Sequence, residues 1–85
     1  MDENEDALLV DARGLRCPLP VIRLAKTASS LQGGSVLTLW STDPAAAHDV
    51  PAWARMRGHV VESTALQEID GTDCLVTRVR LGEGP

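Results

Sequence analysis

The segment best suited to chemistry is Gly14-Leu15-Arg16-Cys17-Pro18-Leu19-Pro20, in which two prolines follow a cysteine closely. The first position of a helix needs no intrahelical N–H donor, so Pro18 fits there and Pro20 fits the first turn. A thiol that caps such a helix lies at the positive end of the helix dipole, which favours the thiolate. The spacing therefore predicts an exposed Cys17 thiol with a moderately lowered pKa.

A thiol of this kind could exchange sulfur. It can attack the outer sulfur of a persulfide, become a persulfide itself and yield that sulfur to another thiolate. One cysteine is enough for this relay, whereas a dithiol oxidoreductase would use a CxxC pair, and position 20 holds Pro. Leu19 supplies the main free amide near the sulfur, so the pKa should fall only modestly. A buried structural cysteine at a helix cap is the alternative.

Basic residues accompany Cys17, and residues 13–26 contain no acid. The bases are Arg13, Arg16, Arg23 and Lys26. They predict a local positive field that favours the thiolate and guides partner proteins. An ordinary solvated surface is the alternative. If Asp11 lies near the Cys17 loop, it would instead raise the pKa of the thiol.

The remaining reactive residues have simpler structural interpretations. Asp43 before Pro44 could orient a partner, although an N-cap or turn role also explains it. His48 and His59 lack ligand-like spacing with either cysteine, so no metal site is predicted. Cys74 is interpreted as a small core residue, with a resolving or redox role as the alternative.

Trp40 and Trp53 are the only aromatic residues, and both are predicted to be core anchors. Base-stacking platforms need exposed aromatics among basic residues. We therefore expect no direct DNA binding, and contact with tRNA only through a partner complex.

The elements that must position these residues follow the order β-α-β-α-β-β. Strands are predicted at 8–12, 35–41, 59–66 and 73–81, where β-branched and large apolar residues are frequent. Apolar residues at helical spacing predict an amphipathic helix from Pro18 that Gly33 and Gly34 end.

A second helix is predicted to pass through Val50, Trp53 and Met56 and to end at Gly58. Its start could lie at Asp43-Pro44 or at Asp49-Pro51, because each pairs a capping carboxylate with a proline. An irregular turn before the helix is favoured.

Two crossing helices and a terminal hairpin at Asp70-Gly71 predict an α/β (α+β) two-layer sandwich. It consists of a four-stranded mixed sheet with both helices on one face, and the other face is left for solvent or contacts.

The length of the chain and the distribution of its charge predict its domain organisation. The chain has 85 residues and a net charge of −4, which the tail acids Asp2, Glu3, Glu5 and Asp6 account for. We predict a disordered acidic tail at 1–7, a single domain at 8–81 and a flexible C-terminus at 82–85. No apolar run is long enough for a membrane span, and the acidic start is unlike a signal peptide. We therefore expect a cytoplasmic protein with reduced thiols.

The run DARGLRCPLPVIRLAK, with TDP at 42–44, DVPAW at 49–53 and Gly58-His59, resembles the TusA (SirA-like) sulfur-carrier family. The resemblance covers residues 8 to about 81. It implies a two-layer α/β sandwich and a cytoplasmic sulfurtransferase of the carrier kind. In such a protein Cys17 accepts persulfide sulfur from a cysteine desulfurase or rhodanese-like donor. Family members are associated with tRNA 2-thiolation, molybdenum cofactor supply and sulfur trafficking in sulfur oxidisers. Trp53-Ala54 replaces the Phe-Cys that members often show.

The leading hypothesis is thus a sulfur carrier without a dissociable cofactor, acting as a monomer between a donor and an acceptor protein. Cys17 would carry the persulfide, Pro18 and Pro20 would be its scaffold, and partners would meet Arg13, Arg16, Arg23, Lys26 and Asp43. One alternative is a non-catalytic regulatory or interaction module of the same fold. Another is a redox sensor that uses Cys17 and Cys74.

Overall fold

The computed structural model describes residues 7–82. Its elements are β1 (Ala7–Ala12), α1 (Leu19–Ala28), β2 (Val36–Ser41), α2 (Ala46–Arg57), β3 (Val60–Ile69) and β4 (Thr72–Arg80). The predicted order is confirmed. The expected acidic tail and C-terminal segment fall outside the described residues, apart from residue 7, which is in β1, and Gly82. Within this range, every helix is too short or too polar to cross a membrane.

The four strands form one mixed sheet in the order β1-β2-β4-β3. β1 is parallel to β2, and β4 is antiparallel to both of its neighbours. Alternate residues of a strand point to opposite faces, so Val10, Leu39 and Thr77 share one face. Both helices cover that face, as the sequence predicted.

The core lies between the sheet and the helices. It contains large apolar side chains together with four alanines that let the helices approach closely, namely Val10, Ala12, Leu24, Ala28, Leu37, Leu39, Ala46, Val50, Trp53, Ala54, Val79 and Leu81. Burying each Val or Leu stabilises the fold by roughly 1.5–3 kcal/mol relative to exposure. This layer fixes the position of α1 and α2 on the sheet.

Helix α1 is shorter than the sequence predicted. Pro18 is its N-cap and Leu19 its first residue, so the prediction that Cys17 is the cap is wrong by one position. The helix also ends at Ala28, well before Gly33. The hydroxyl of Ser29 donates to the Lys26 carbonyl, and bonds of this local kind compete with helix continuation.

Helix α2 begins after Asp43-Pro44, and Pro51 lies inside it. The alternative start at Asp49-Pro51 is therefore wrong. Gly58 ends the helix with φ +77°, as predicted, because a left-handed C-terminal residue favours glycine.

The hairpin between β3 and β4 turns at Asp70 and Gly71, as predicted. Their φ values of +53° and +81° suit a two-residue hairpin turn. β3 extends to Ile69, beyond the predicted end at residue 66. Its register shifts between Val61 and Ser63, which leaves Glu62 as an extra residue in the strand.

The sheet face opposite the helices carries Trp40, which is half-buried under the Arg13 guanidinium. The prediction that Trp40 anchors the core is wrong, whereas Trp53 is a core residue. Strand alternation also places Cys74 on this opposite face, where it is fully buried. Cys74 is thus buried as expected, but beneath the open face and not between sheet and helices.

Candidate functional site

Cys17 lies in the loop that joins β1 to α1. It is half-buried, and its side chain packs against the edge of the core. The loop after β2 starts at the same end of the sheet, because β1 and β2 are parallel. The carboxyl ends of parallel strands are the usual place for ligand sites in open α/β sheets.

Hydrogen bonds tie these two loops together. The Gly14 N–H donates to Thr42 Oγ1 at 2.9 Å, and the Cys17 N–H donates to Asp43 Oδ2 at 2.8 Å. Gly14 has φ +80°, a conformation that glycine adopts without strain. The position of the cysteine is therefore set by the second loop as well as by the prolines.

Asp43 is the central residue of this connection. Its Oδ1 accepts the Ala45 N–H at 3.0 Å while Oδ2 accepts the Cys17 N–H. These backbone hydrogen bonds lower the pKa of the Asp43 carboxyl, and the Arg16 charge contributes further. The predicted turn role is confirmed, but the N-cap of α2 is Ala45.

The Cys17 thiol has a raised pKa, not the lowered one that the sequence predicted. Burial is the main cause, and the interaction with the Asp49 carboxylate and the charge of Asp43 follow; together they raise the pKa to about 11. Desolvation and nearby anions both disfavour a thiolate. The resting site therefore holds a protonated thiol.

The start of α1 offers the Cys17 sulfur fewer free N–H donors than the sequence predicted. The Leu19 N–H, predicted to be free, donates to the Arg16 carbonyl at 2.9 Å, and the Ile22 N–H donates to the Pro18 carbonyl at 3.0 Å. These amides are occupied by the backbone itself. The dipole of α1 consequently does not compensate for the two carboxylates.

The bases that the sequence predicted to surround Cys17 do not form one cluster, because the arginines have different partners. The Arg13 guanidinium binds Asp11 at 2.8 Å and Asp70 at 3.0 Å, and it stacks over Trp40 at 4.8 Å. Arg23 reaches the Asp11 carbonyl at 3.4 Å, whereas Arg16 acts on the Asp43 carboxylate. Asp11 is thus engaged by Arg13, and the causes of the raised Cys17 pKa are burial, Asp49 and Asp43 instead.

Lys26 lies in the last turn of α1, away from the start of the helix where Pro18 and Pro20 flank the cysteine. Pro20 is fully buried, whereas Pro18 is exposed. Of the four predicted bases, only Arg16 is placed by the fold to act at the Cys17 loop.

His59 and Cys74 make contacts of their own within the fold. His59 Nδ1 accepts the Gly82 N–H at 2.9 Å, and its ring packs 4.8 Å from the Trp53 ring. Among residues 7–82, both cysteines are free thiols, and no three His, Cys, Asp or Glu side chains are grouped to hold a metal ion. His48 is exposed on α2.

Asp49 is the site residue that the sequence analysis missed. It was considered only as a possible helix start, whereas it lies in the first turn of an α2 that begins earlier. With the helix started at Asp43-Pro44, the spacing would have placed Asp49 about one turn into it. Its influence on the pKa of Cys17, 32 positions away in the chain, depends on how the helices pack.

The surface around Cys17 combines polar and apolar parts. A shallow depression is lined by Gly14, Leu15, Arg16, Thr42, Asp43 and Pro44. Leu19 and Ile22, on α1, are about half exposed. A partner could therefore approach the thiol across a surface that has both hydrogen-bonding groups and apolar side chains.

Comparison with known proteins agrees with this geometry. A family model described as sulfurtransferase TusA matches residues 9–78. YrkI of Bacillus subtilis, described as a candidate sulfur carrier protein, is 34% identical over 74 residues, which cover 87% of this chain and 93% of YrkI. The sulfur carrier protein TusA of Allochromatium vinosum is 42% identical over 50 residues, or 59% of this chain and 66% of that protein.

A solved structure extends the similarity to the fold. The crystal structure of a SirA-like protein from Desulfitobacterium hafniense matches with a TM-score of 0.69 and 25% identity, covering 89% of this chain and 99% of that one. The four-stranded sheet with two helices is therefore shared with that protein.

Proposed function

Because this chain belongs to the sulfurtransferase TusA family, we propose that it carries sulfur as a persulfide on Cys17. Family membership supports sulfur transfer and a carrier role in general. The observation that carries the specific proposal is the position of Cys17. It is a half-exposed free thiol in a loop held by Asp43 at the carboxyl ends of two parallel strands.

The transfer step exchanges one S–S bond for another. The Cys17 thiolate attacks the outer sulfur of a donor persulfide, and a bond forms between Sγ and that sulfur. The S–S bond of the donor breaks, and the donor cysteine leaves as a thiolate that takes up the proton lost by Cys17. The reaction needs no external oxidant or reductant. In the delivery step, an acceptor thiolate attacks the outer sulfur of the Cys17 persulfide, and Cys17 leaves as a thiolate.

The raised pKa of Cys17 limits this chemistry in the free protein. With its pKa raised by burial and by the nearby carboxylates, the thiol of the free protein is protonated at neutral pH. We therefore propose that transfer requires a partner that changes the surroundings of the sulfur. This suits a carrier that reacts inside complexes.

The proposed donor is a cysteine desulfurase or a rhodanese-like protein, and the proposed acceptor is a protein of the cytoplasm. By family association, the acceptor belongs to tRNA 2-thiolation, molybdenum cofactor supply or sulfur oxidation. We propose that the carrier acts as a monomer and meets partners through Arg16, Asp43 and the prolines around Cys17.

Intact-mass measurement tests the proposal. After incubation with a cysteine desulfurase and cysteine, the wild-type chain should gain one sulfur, about 32 Da, which added thiol removes. Cys17→Ser should gain none, while the matched control Cys74→Ser should still be loaded. Sulfur retained by Cys17→Ser would contradict the assignment. A loss of two protons on mild oxidation would instead indicate a redox sensor.

A further inference from the structure

The two helices leave part of their own face of the sheet uncovered. Ser41, Leu75 and Leu66 are paired in register on β2, β4 and β3, and they lie on the face against which the helices pack. Ser41, at the inner end of this row, is fully buried, whereas Leu66 on the outer strand is 70% exposed. A leucine in a core-facing row is therefore open to solvent.

A groove of about 410 Å³ follows this row, between the β3–β4 hairpin and the start of α2. Its volume lies in the range of sites that bind ligand groups. Ser41 lines it, and the Ser41 hydroxyl is buried without a hydrogen-bond partner in the described part of the chain. We call it the hairpin groove, and its other lining residues include Asp43, Pro44, Ala47, Leu66, Asp73 and Leu75.

Carboxylates give the hairpin groove a negative charge, and no basic side chain is among its described lining residues. Asp73 lies directly opposite Glu68 across the hairpin, on the same face. Like charges directly opposite each other on neighbouring strands destabilise a sheet. Between residues 7 and 82, neither carboxylate has an ion-pair partner. A cation supplied by another molecule would relieve this repulsion.

The hairpin groove adjoins the loop that carries the cysteine. Asp43 lines the groove, and its Oδ2 accepts the Cys17 N–H at 2.8 Å. A protein whose own sulfur reaches Cys17 therefore lies close to the groove as well.

We propose that the hairpin groove binds a segment of a sulfur-exchanging partner protein in which Lys or Arg stands beside an apolar residue. The inference rests on the proposed function, because Cys17 brings the partner to this surface. The aliphatic stem of a Lys or Arg side chain covers apolar surface while its charged head stays at the polar rim. Here the stem and the apolar neighbour cover Leu66 and Leu75, and the head pairs with Asp73. The groove thus selects basic segments and holds them beside the cysteine loop.

NMR titration of the ¹⁵N-labelled full-length chain tests the binding. The probes are two capped peptides, Gly-Leu-Lys-Leu-Lys-Gly and Gly-Leu-Glu-Leu-Glu-Gly. The lysine peptide should shift the amide signals of Leu66, Asp73 and Leu75, and its affinity should fall as NaCl is added. The glutamate peptide should bind at least about threefold more weakly, because it meets carboxylates.

Two substitutions locate the binding within the groove. Leu66→Ser removes apolar surface and Asp73→Asn removes charge, so each should weaken binding of the lysine peptide by about threefold. Met56→Ser is the matched control, because Met56 is 77% exposed on α2 and does not line the groove. It should bind as wild type does. The proposal is overturned by equal binding of both peptides, by no shifts at the groove, or by an equal loss in Met56→Ser.

Sulfur delivery separates this proposal from the function on which it rests. The chain is loaded by a cysteine desulfurase with cysteine and is then mixed with thiol peptides that carry Lys-Leu or Glu-Leu beside one cysteine. The peptide thiolate bonds to the outer sulfur, Cys17 leaves as a thiolate, and intact mass follows the loss of about 32 Da. Wild type should supply the lysine peptide about threefold faster, and Leu66→Ser should remove most of this difference.

Equal delivery to both peptides by the wild-type chain would refute the groove and leave the carrier function standing. A wild-type chain that neither gains sulfur from the desulfurase nor delivers it to either peptide would refute the carrier function itself.

Discussion

Asp43 accepts hydrogen bonds from the amides of two segments that are distant in sequence, Cys17 and Ala45. It therefore acts both as a turn residue and as a support for the reactive loop. Because the ionised carboxylate makes these bonds, its pKa lies below the ordinary value. This contribution to stability is present above the unfolded pKa of about 4 and is lost as pH falls through the folded value.

Replacing Asp43 by Ala should lower the urea midpoint at pH 7, because the part-buried Cys17 amide loses its acceptor. The difference from wild type should shrink below pH 4. Asp43→Asn, which retains one acceptor oxygen, should lose less. Asp73→Ala, an exposed position on β4, is the control. Equal midpoints for Asp43→Ala and wild type would show that the loop is held without this carboxylate.

The sequence was sufficient to single out Cys17 as the candidate site, since its residue type and the neighbouring prolines are local features. The direction of its pKa shift could not be found in this way. Asp43 and Asp49, which help raise it, are 26 and 32 positions away and reach the sulfur only through tertiary packing. Arg13, four positions from Cys17 in the sequence, is bound instead to Asp11 and Asp70.

The link between α2 and β3 depends on a contact with the end of β4. His59 follows the helix, packs against Trp53 and accepts the Gly82 N–H. A Cβ at Gly82 would overlap the Gly58 carbonyl oxygen, so a glycine is needed for this close approach. Local sequence patterns predicted that α2 ends at Gly58. They did not indicate that the link after α2 contacts the end of β4.

Burial and the charge of Arg57 lower the pKa of His59. The unfolded chain therefore binds the proton more readily, and stability rises with pH as the imidazole becomes neutral. We expect the free energy of unfolding to fall as the pH is lowered from 7.5 to 5.5, a range that spans the unfolded pKa of about 6.5. Urea unfolding at both pH values measures this.

His59→Gln should abolish that dependence while its amide oxygen can still accept the Gly82 N–H. His48→Gln, which changes an exposed histidine of α2, should keep it. If all three chains share one pH dependence, His59 is not its source.

Across the whole molecule, Arg13 joins the loop after β1 to the hairpin between β3 and β4. It pairs with Asp11 on one side and Asp70 on the other, and its guanidinium lies over Trp40. The mixed four-stranded sheet could be inferred from two crossing helices and a hairpin, although the order of its strands was not predicted. This link across the sheet could not, because its partners are separated by 57 positions.

Removing the Arg13 side chain should expose Trp40 and loosen the hairpin. We expect Arg13→Ala to show increased acrylamide quenching and a red-shifted tryptophan emission, since Trp53 remains in the core. Arg55→Ala, at an exposed position of α2, should match wild type. Unaltered quenching in Arg13→Ala would show that the strands alone shield the indole.

The extra residue at Glu62 has a consequence for association between copies. β3 is an outer strand, and the free N–H and C=O groups of such strands can recruit a strand from another molecule. The bulge interrupts the regular spacing of those groups, and Glu62 places a carboxylate there that pairs with Arg78 and Arg80. The long edge is thus a poor template for intermolecular sheet growth, which disfavours aggregation of the protein through this strand.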